Sequence, residues 1–354
     1  MTEATHAPTG DSTGDITGNS LGNTLGDTLD GNPPDGNPRA GNPPDGNPQD
    51  GNPGAGSGPK IVLGRNQYGK AEVRLVKVSR DTARHHLEDL SITSQLHGDF
   101  EAAHTQGNNS RVVATDTQKN TIYAFARDGV GSPEEFLMRL ARHFTSGFDW
   151  VTGGRWAAEQ YFWNRINNHD HAFAKDKSEV RTAVLLSVGG QLHLVSGISG
   201  LTVLKSTGSE FHGFPRDRFT TLAETTDRVL ATDVTAKWRY AAGTGSGVAD
   251  FNTTYASVRN LLLEAFANTH SLALQQTMFE MGRAVLEAHP EIEEVRLSLP
   301  NNHHFLVDLA PFGLDNPQEV FFAADRPYGL IEASVLREGA RQDSPIWDTI
   351  GGFC

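Results

Sequence analysis

Hydrophobic positions alternate with period two over residues 67–80. Ala71, Val73 and Leu75 fall on one face, and with the β-branched content this predicts a strand. Arg111 to Arg127, rich in valine, threonine and aromatic residues, predicts a second strand. A helix then opens at a clear signal. Ser132 can cap it, Pro133 suits its first turn, and Glu135 completes a capping box. Phe136, Leu137, Leu140 and Phe144 make its buried stripe. Extended segments follow near 150–166 and 178–188.

The second half repeats that order. Strands are predicted through 193–205 and 226–240, and Gly243 to Gly247 interrupts the pattern as a loop. Tyr255, Val258, Leu262 and Phe266 are spaced for burial on one helix. Another helix starts after Ser271 and stops at His289-Pro290, where proline forbids continuation. Val295–Leu299 and Phe305–Leu309 read as a strand pair around the turn Pro300-Asn301-Asn302. Two rounds of strands, helices and strands predict tandem α+β modules, with antiparallel sheets carrying helices on one face. The expected boundaries are 1–59 for an N-terminal extension, 60–192 for the first module and 193–354 for the second with its tail. An Ala-Thr-Asp echo at 114–116 and 231–233 is compatible with duplication, though too short to establish it. The open face of such sheets needs covering, and oligomerisation into a closed ring is one way to do so.

Composition separates the first residues from the rest. Residues 1–58 contain no Phe, Tyr or Trp, and Gly31–Pro38 returns as Gly41–Pro48 within a Gly-Asn-Pro beat. Such a segment has nothing to bury and is expected to be disordered. It carries eight acidic groups and one basic group, a net of -7 within a chain total of -13. The remainder is therefore mildly acidic and has no basic stripe of the kind nucleic acid requires. No apolar run is long enough for a membrane span and no secretory leader is visible. The sole cysteine, Cys354, precludes an intrachain disulfide; with these features it points to a cytoplasmic protein.

The candidate chemistry is dispersed. Lys70 taken alone reads as a solvated lysine, whereas burial beside apolar groups would lower its pKa and make it a usable base. Thr115 fits either a proton relay or a strand-forming residue, and Asp116 fits a structural cap or pair. Arg228 can grip a flat anion through its planar fork, and Phe211 can stack on a ring. Gln275, at a helix start, offers a donor and an acceptor to a heterocycle edge. Asn301 and His303 can converge from one turn, while His303 and His304 should face opposite sides of an extended strand. His169-Asp170-His171 supplies two imidazoles, but no third ligand follows at a familiar metal spacing, so a charged loop is the simpler reading. No P-loop, dinucleotide fingerprint, nucleophile elbow or two-cysteine motif occurs.

Four separated stretches, in order, resemble the urate oxidase (uricase) family: Asn66–Arg74, Val113–Thr121, Leu204–Phe211 and Leu299–Phe305. The resemblance covers Ile61 to Cys354. It implies two tunnelling-fold modules per chain and a homotetramer around a central tunnel, with active sites at subunit interfaces. It also implies oxidation of urate by dioxygen and water to 5-hydroxyisourate and hydrogen peroxide, without metal or organic cofactor. Lys70, Thr115 and Asp116 would come from one chain. Phe211, Leu222, Arg228, Leu274, Gln275, Asn301 and His303 would come from its neighbour. Among these Lys70, Thr115 and His303 would move protons, and the others would hold the purine and the oxidant. Asn302 stands where many relatives carry Lys, and Leu274 replaces the commoner Val.

Two other classes stay open on the residues alone: a tunnelling-fold pterin or purine hydrolase or aldolase, and a noncatalytic purine-binding oligomer. Because residues 1–58 lack packing side chains, deleting them is expected to leave steady-state turnover and oligomer size unchanged. Loss of either in the truncated protein, by activity assay and size-exclusion chromatography, would contradict that reading.

Overall fold

The computed structural model describes residues 61–242, 250–324 and 326–353. The expected N-terminal extension, the Gly243–Gly247 loop and Cys354 lie outside the described residues. The chain from Ile61 builds one eight-stranded, wholly antiparallel sheet. Its elements in order are β1 (Tyr68–Ser79), β2 (His86–Gly98), α1 (Glu101–Gln106), α2 (Thr115–Arg127), α3 (Pro133–Gly147), β3 (Val151–Arg165), β4 (Phe173–Val188), β5 (Gln191–Lys205) and β6 (Leu230–Tyr240). There follow α4 (Phe251–Asn268), α5 (Leu274–Ala288), β7 (Ile292–Asn301), β8 (His304–Leu306), β9 (Phe321–Ala323) and β10 (Gly329–Leu336). The sheet runs β1-β2-β3-β4-β5-β6-β7-β10, and β8 pairs with β9 apart from it. The fold is α+β. Two strands, two main helices and two strands occur twice in succession, and β4 hydrogen-bonds to β5 where the rounds meet.

The expected helices form where predicted. Ser132 accepts from the Glu135 backbone N–H, Glu135 reaches back to the Ser132 N–H, and Pro133 occupies the first turn of α3. This reciprocal cap satisfies two donors that a helix start otherwise leaves bare. Phe136, Leu137, Leu140 and Phe144 are buried, as are Tyr255, Val258, Leu262 and Phe266 of α4. All belong to one apolar core with Trp156, Leu185, Ile198, Trp238 and Leu297, from sheet positions that alternate toward the helices. The opposite sheet face carries Glu159, Thr182, Lys237 and Arg296, which lie in one cross-strand row with Gly197. Residues near the C-terminus cover part of that face, with Ile346 and Trp347 packed on Val184, Leu186 and Val195.

Three expectations fail, each for a physical reason. Residues 115–127 form α2 rather than a strand. Gln118, Ile122 and Ala126, four residues apart, are its buried positions, so helical period overrides the β-branched composition. In β1 the register slips between Lys70 and Val73, with Glu72 at φ 53°, so Ala71 is exposed instead of sharing the face of Val73 and Leu75. Phe305–Leu309 does not pair with Val295–Leu299. β7 is filled on both sides by β6 and β10, and β8 pairs with β9. β2 and β10 had no predicted counterpart. The Ala-Thr-Asp echo falls on the start of α2 in one case and on β6 in the other, so it marks no structural equivalence.

A buried polar knot joins the two rounds. Glu134 of α3 receives hydrogen bonds from Arg181 of β4 at 2.7 Å and from the Ser196 hydroxyl of β5 at 2.5 Å. Arg181 also donates to Asn252 and to the Phe251 carbonyl at the start of α4. Glu134→Ala would strand this guanidinium in the core, so it should destabilise the fold by about 3–5 kcal/mol. Chemical denaturation of the variant beside wild type checks this, and a change below about 1 kcal/mol would contradict the account.

Candidate active site

The residues singled out in the sequence gather into two groups on different parts of the sheet. The first surrounds Lys70 at the outer edge. A Cβ on Gly69 would lie 1.8 Å from the Ser94 carbonyl oxygen, so only glycine lets β1 approach β2 there. The bulge follows at once and re-aims the strand beyond half-buried Lys70. The Tyr68 hydroxyl accepts from the Val113 N–H at 2.7 Å and lies 3.2 Å from the Val113 carbonyl as donor. It thus ties the approach to α2 onto β1, two residues from Lys70 on one side and two from Thr115 on the other. Thr115 opens α2 and is half-buried.

Asp116 lies in the first helical turn, where a carboxylate suits the positive end of the helix dipole. It pairs with Lys119 and accepts from Asn120 at 2.9 Å. The Lys119 hydrogen bond and charge hold its carboxyl below the usual range, with smaller contributions from Asn120 and the Lys70 charge. Asp116 therefore serves the helix, as one of its two sequence readings required, while remaining exposed near Lys70.

The second group assembles around β6, α5 and the end of β7. The Arg228 guanidinium carbon lies 5.2 Å from the Phe211 ring centroid, and its Nε donates to the buried Ser209 hydroxyl at 3.3 Å. Burial lowers the Arg228 pKa from its high ordinary value. Phe211 exchanges backbone hydrogen bonds with Thr225 at 2.8 and 3.0 Å, and Glu210 N–H donates to the Ser271 carbonyl at 2.7 Å. The Phe211 loop is thereby fastened to the chain just before Arg228 and to the chain just before α5. Gln275 is exposed in the first turn of that helix. Asn301 ends β7, opposite Thr232 of β6 and Gly329 of β10.

His303 follows that strand end. Burial, and then the nearby Arg228 charge, push its imidazole below the ordinary value. Its ring lies 5.7 Å from that of Phe305, while His304 bonds back to the Asn302 carbonyl at 3.0 Å, so the neighbouring histidines do diverge. Asn302 is anchored to Asp233 and to the Ala231 carbonyl, each at 2.9 Å. Leu222 is 53 % exposed, whereas Leu274 is buried in the helix core.

The two groups do not meet within one chain. Six strand intervals of about 4.8 Å separate β1 from β7, about 29 Å across the sheet. β1 and β10 are its two edges and do not pair, so the sheet does not close. Clefts beside Asp128–Arg142 and on the helix-free sheet face are lined by none of the candidate site residues. Among the described residues no group of three or more His, Cys, Asp or Glu could hold a metal ion. Asp170 of the His-Asp-His turn instead pairs with Arg84 at 3.2 Å. Sequence reasoning missed Glu210 and Asp227, which fasten the loops. The adjacency of each to a singled-out residue was the available signal.

The family model described as Uricase matches residues 66–185 and 194–332. The uricase of Arthrobacter globiformis is 72% identical over 298 residues, which are 84% of this chain and 97% of that protein. The uricase of Aspergillus flavus is 38% identical over 292 residues, covering 78% and 97%. The crystal structure of the Arthrobacter globiformis uricase superposes with a TM-score of 0.79 over 82% of this chain and 100% of that one. A urate oxidase structure from Bacillus sp. TB-90 does so with 0.65 at 25% identity, over 77% and 100%.

Tyr68→Phe removes the hydroxyl that holds Val113. It should cost about 1–3 kcal/mol, because a half-buried backbone N–H loses its partner. Denaturant titration reads this directly, and an unchanged midpoint would show that the latch contributes nothing.

Proposed function

The chain belongs to the uricase family, and we propose that it oxidises urate at sites shared between two copies of itself. That it is a urate oxidase acting in purine degradation follows from the family match and from 72% identity to a uricase over nearly that protein's whole length. The hydrolase, aldolase and noncatalytic-binder alternatives find no support in these relatives. The finer reading rests on one observation: the Lys70 group and the Arg228 group sit on opposite parts of an open sheet.

Two chains placed side by side would bring one chain's Lys70, Thr115 and Asp116 to its neighbour's Phe211, Leu222, Arg228, Leu274, Gln275, Asn301 and His303. A homotetramer closed around a tunnel satisfies this twice over. It also covers the exposed rings of Phe219, Phe305, Phe312 and Phe322, which a lone chain leaves in water. The two stretches matched by the family model break near the β4–β5 hairpin, which supports modules at 60–192 and 193–354. No helix among the described residues is long and apolar enough to cross a membrane, and the cytoplasm is the proposed location.

In this site Arg228 and Gln275 hold opposite edges of the planar anion, Phe211 stacks on it and Leu222 closes over it. Leu274, buried behind Gln275, contributes by seating the start of α5. Triplet dioxygen reacts poorly with closed-shell molecules in one concerted step. Ionised urate is electron-rich enough to give up one electron first, after which spin change allows a peroxide to form. Water then replaces peroxide, so urate, O2 and H2O become 5-hydroxyisourate and H2O2. Lys70, Thr115 and His303 take and return the protons, and Asn301 orients oxygen or water above the ring. The low imidazole pKa keeps His303 neutral, an acceptor, at neutral pH. The substrate supplies its own reducing electrons, so the reaction needs neither metal nor organic cofactor.

Urate-dependent oxygen uptake with peroxide formation should persist on metal-stripped protein, and a complete, reversible loss on chelation would reject the cofactor-free scheme. Lys70→Met should lower kcat by about 10²-fold or more with oligomer size unchanged, the scale of a lost acid–base group. Near-normal turnover in that variant would remove Lys70 from the relay. Activity should fall as acid protonates His303, with a midpoint below the ordinary imidazole value of 6.5. A midpoint above that value, lost in His303→Gln, would contradict the assignment.

A further inference from the structure

Two carboxylates each stand one residue before a proposed substrate contact: Glu210 before Phe211, and Asp227 before Arg228. Neither is assigned to the urate or to the protons. We propose that Glu210 and Asp227 are positioning residues, which together fix the separation of the stacking ring, the anion fork and the α5 amide. The proposal rests on the urate site described above.

Asp227 gathers the exit of β5. Its carboxylate accepts from the Thr207 hydroxyl at 2.9 and 3.0 Å and from the Gly208 N–H at 3.1 Å. The Thr225 hydroxyl donates to its backbone carbonyl at 2.6 Å. Gly208 sits at φ +70°, the left-handed region that glycine enters without a side-chain penalty, so the chain can turn there and present its N–H to Asp227. The β5 exit is thus held against the residue that precedes Arg228.

Glu210 makes the other link. One carboxylate oxygen meets His270 Nε2 at 2.5 Å and the other meets His212 Nε2 at 3.0 Å. His270 belongs to the loop leading into α5, and backbone bonds Glu210 N–H to Ser271 carbonyl (2.7 Å) and Ser271 N–H to Gly208 carbonyl (2.9 Å) run beside the contact. In an extended stretch, adjacent side chains point to opposite sides. Phe211 can therefore face the purine while Glu210 grips the α5 approach behind it. Through these two carboxylates, three loops that share no local motif move as one clamp.

A clamp of this kind acts on substrate binding and alignment, and only through Phe211, Arg228 and Gln275. Its signature is weaker urate binding in a folded, assembled enzyme. Urate affinity measured by equilibrium dialysis without dioxygen separates binding from turnover.

Asp227→Ala and Glu210→Ala should each weaken urate binding about tenfold or more, with thermal midpoint and oligomer size near wild type. Asp227→Asn and Glu210→Gln keep an acceptor oxygen and should restore affinity to within about threefold. Thr207→Val, which removes the hydroxyl donor to Asp227 and leaves that of the Gly208 N–H, gives a milder version of the Asp227→Ala defect if the alanine variants misfold. Wild-type protein that binds and oxidises urate, with binding lost in Arg228→Met but unchanged in Asp227→Ala, Glu210→Ala and Thr207→Val, would overturn the proposal. Failure of wild type to bind urate would instead overturn the functional reading beneath it.

Discussion

An antiparallel sheet that stays open is the constraint from which the rest follows. Eight strands lie in one row with β1 and β10 as free edges, and backbone hydrogen bonding fixes the order of everything mounted on them. Lys70 rides on the first strand, Asn301 on the seventh, and no local flexibility brings them together. Rigid placement of this sort suits catalysis, which gains from groups held in position before the substrate arrives. It also keeps the Lys70 group and the Arg228 group apart within one chain. Among the described residues no further strand pairs with the outer edges of β1 and β10, and the apolar rings of Phe305 and Phe312 are exposed.

The local devices on this frame are small. Gly69 permits the close approach that lets β1 bulge beside Lys70, and the Tyr68 hydroxyl sets α2 against the same strand. On the other half, backbone bridges 211–225 and 209–271 hold the Phe211 loop against the chain before Arg228 and the chain before α5. Arg228 is partly desolvated there, which suits a flat organic anion, and burial, with the Arg228 charge second, lowers the His303 pKa. One buried ionic junction, Arg181 with Glu134, lies where the two rounds of the fold meet.

Much of this was legible in the chain. The capping box at Ser132, the proline stop after His289 and the stripe through Tyr255 and Phe266 are local codes, and local codes survive folding. The α+β class followed from them. What failed were segments whose identity is decided by tertiary contacts. Residues 115–127 have strand-like composition, but α2 forms because Ile122 and Ala126 reach the core only with helical spacing. Residues 305–309 have no free partner in the main sheet, since β10, 28 residues beyond Asn301 at its start, takes that edge. Composition does not encode such competition. The proposed site residues are joined by no spacing rule in the sequence, because sheet order sets which of them lie together and leaves the Lys70 group and the Arg228 group apart. Glu210 and Asp227 went unnoticed because their partners are loop residues distant in sequence.

Whether two chains build each site can be measured by complementation. Lys70→Met and Arg228→Met chains, each nearly inactive alone, would be co-expressed, and the mixed oligomers purified and assayed for urate oxidation. Random assembly should restore about a quarter of wild-type activity, because a mixed pair of chains carries one doubly damaged site and one intact site. Mixed oligomers no more active than either parent would show that a single chain supplies both groups, and the shared-site account would fall.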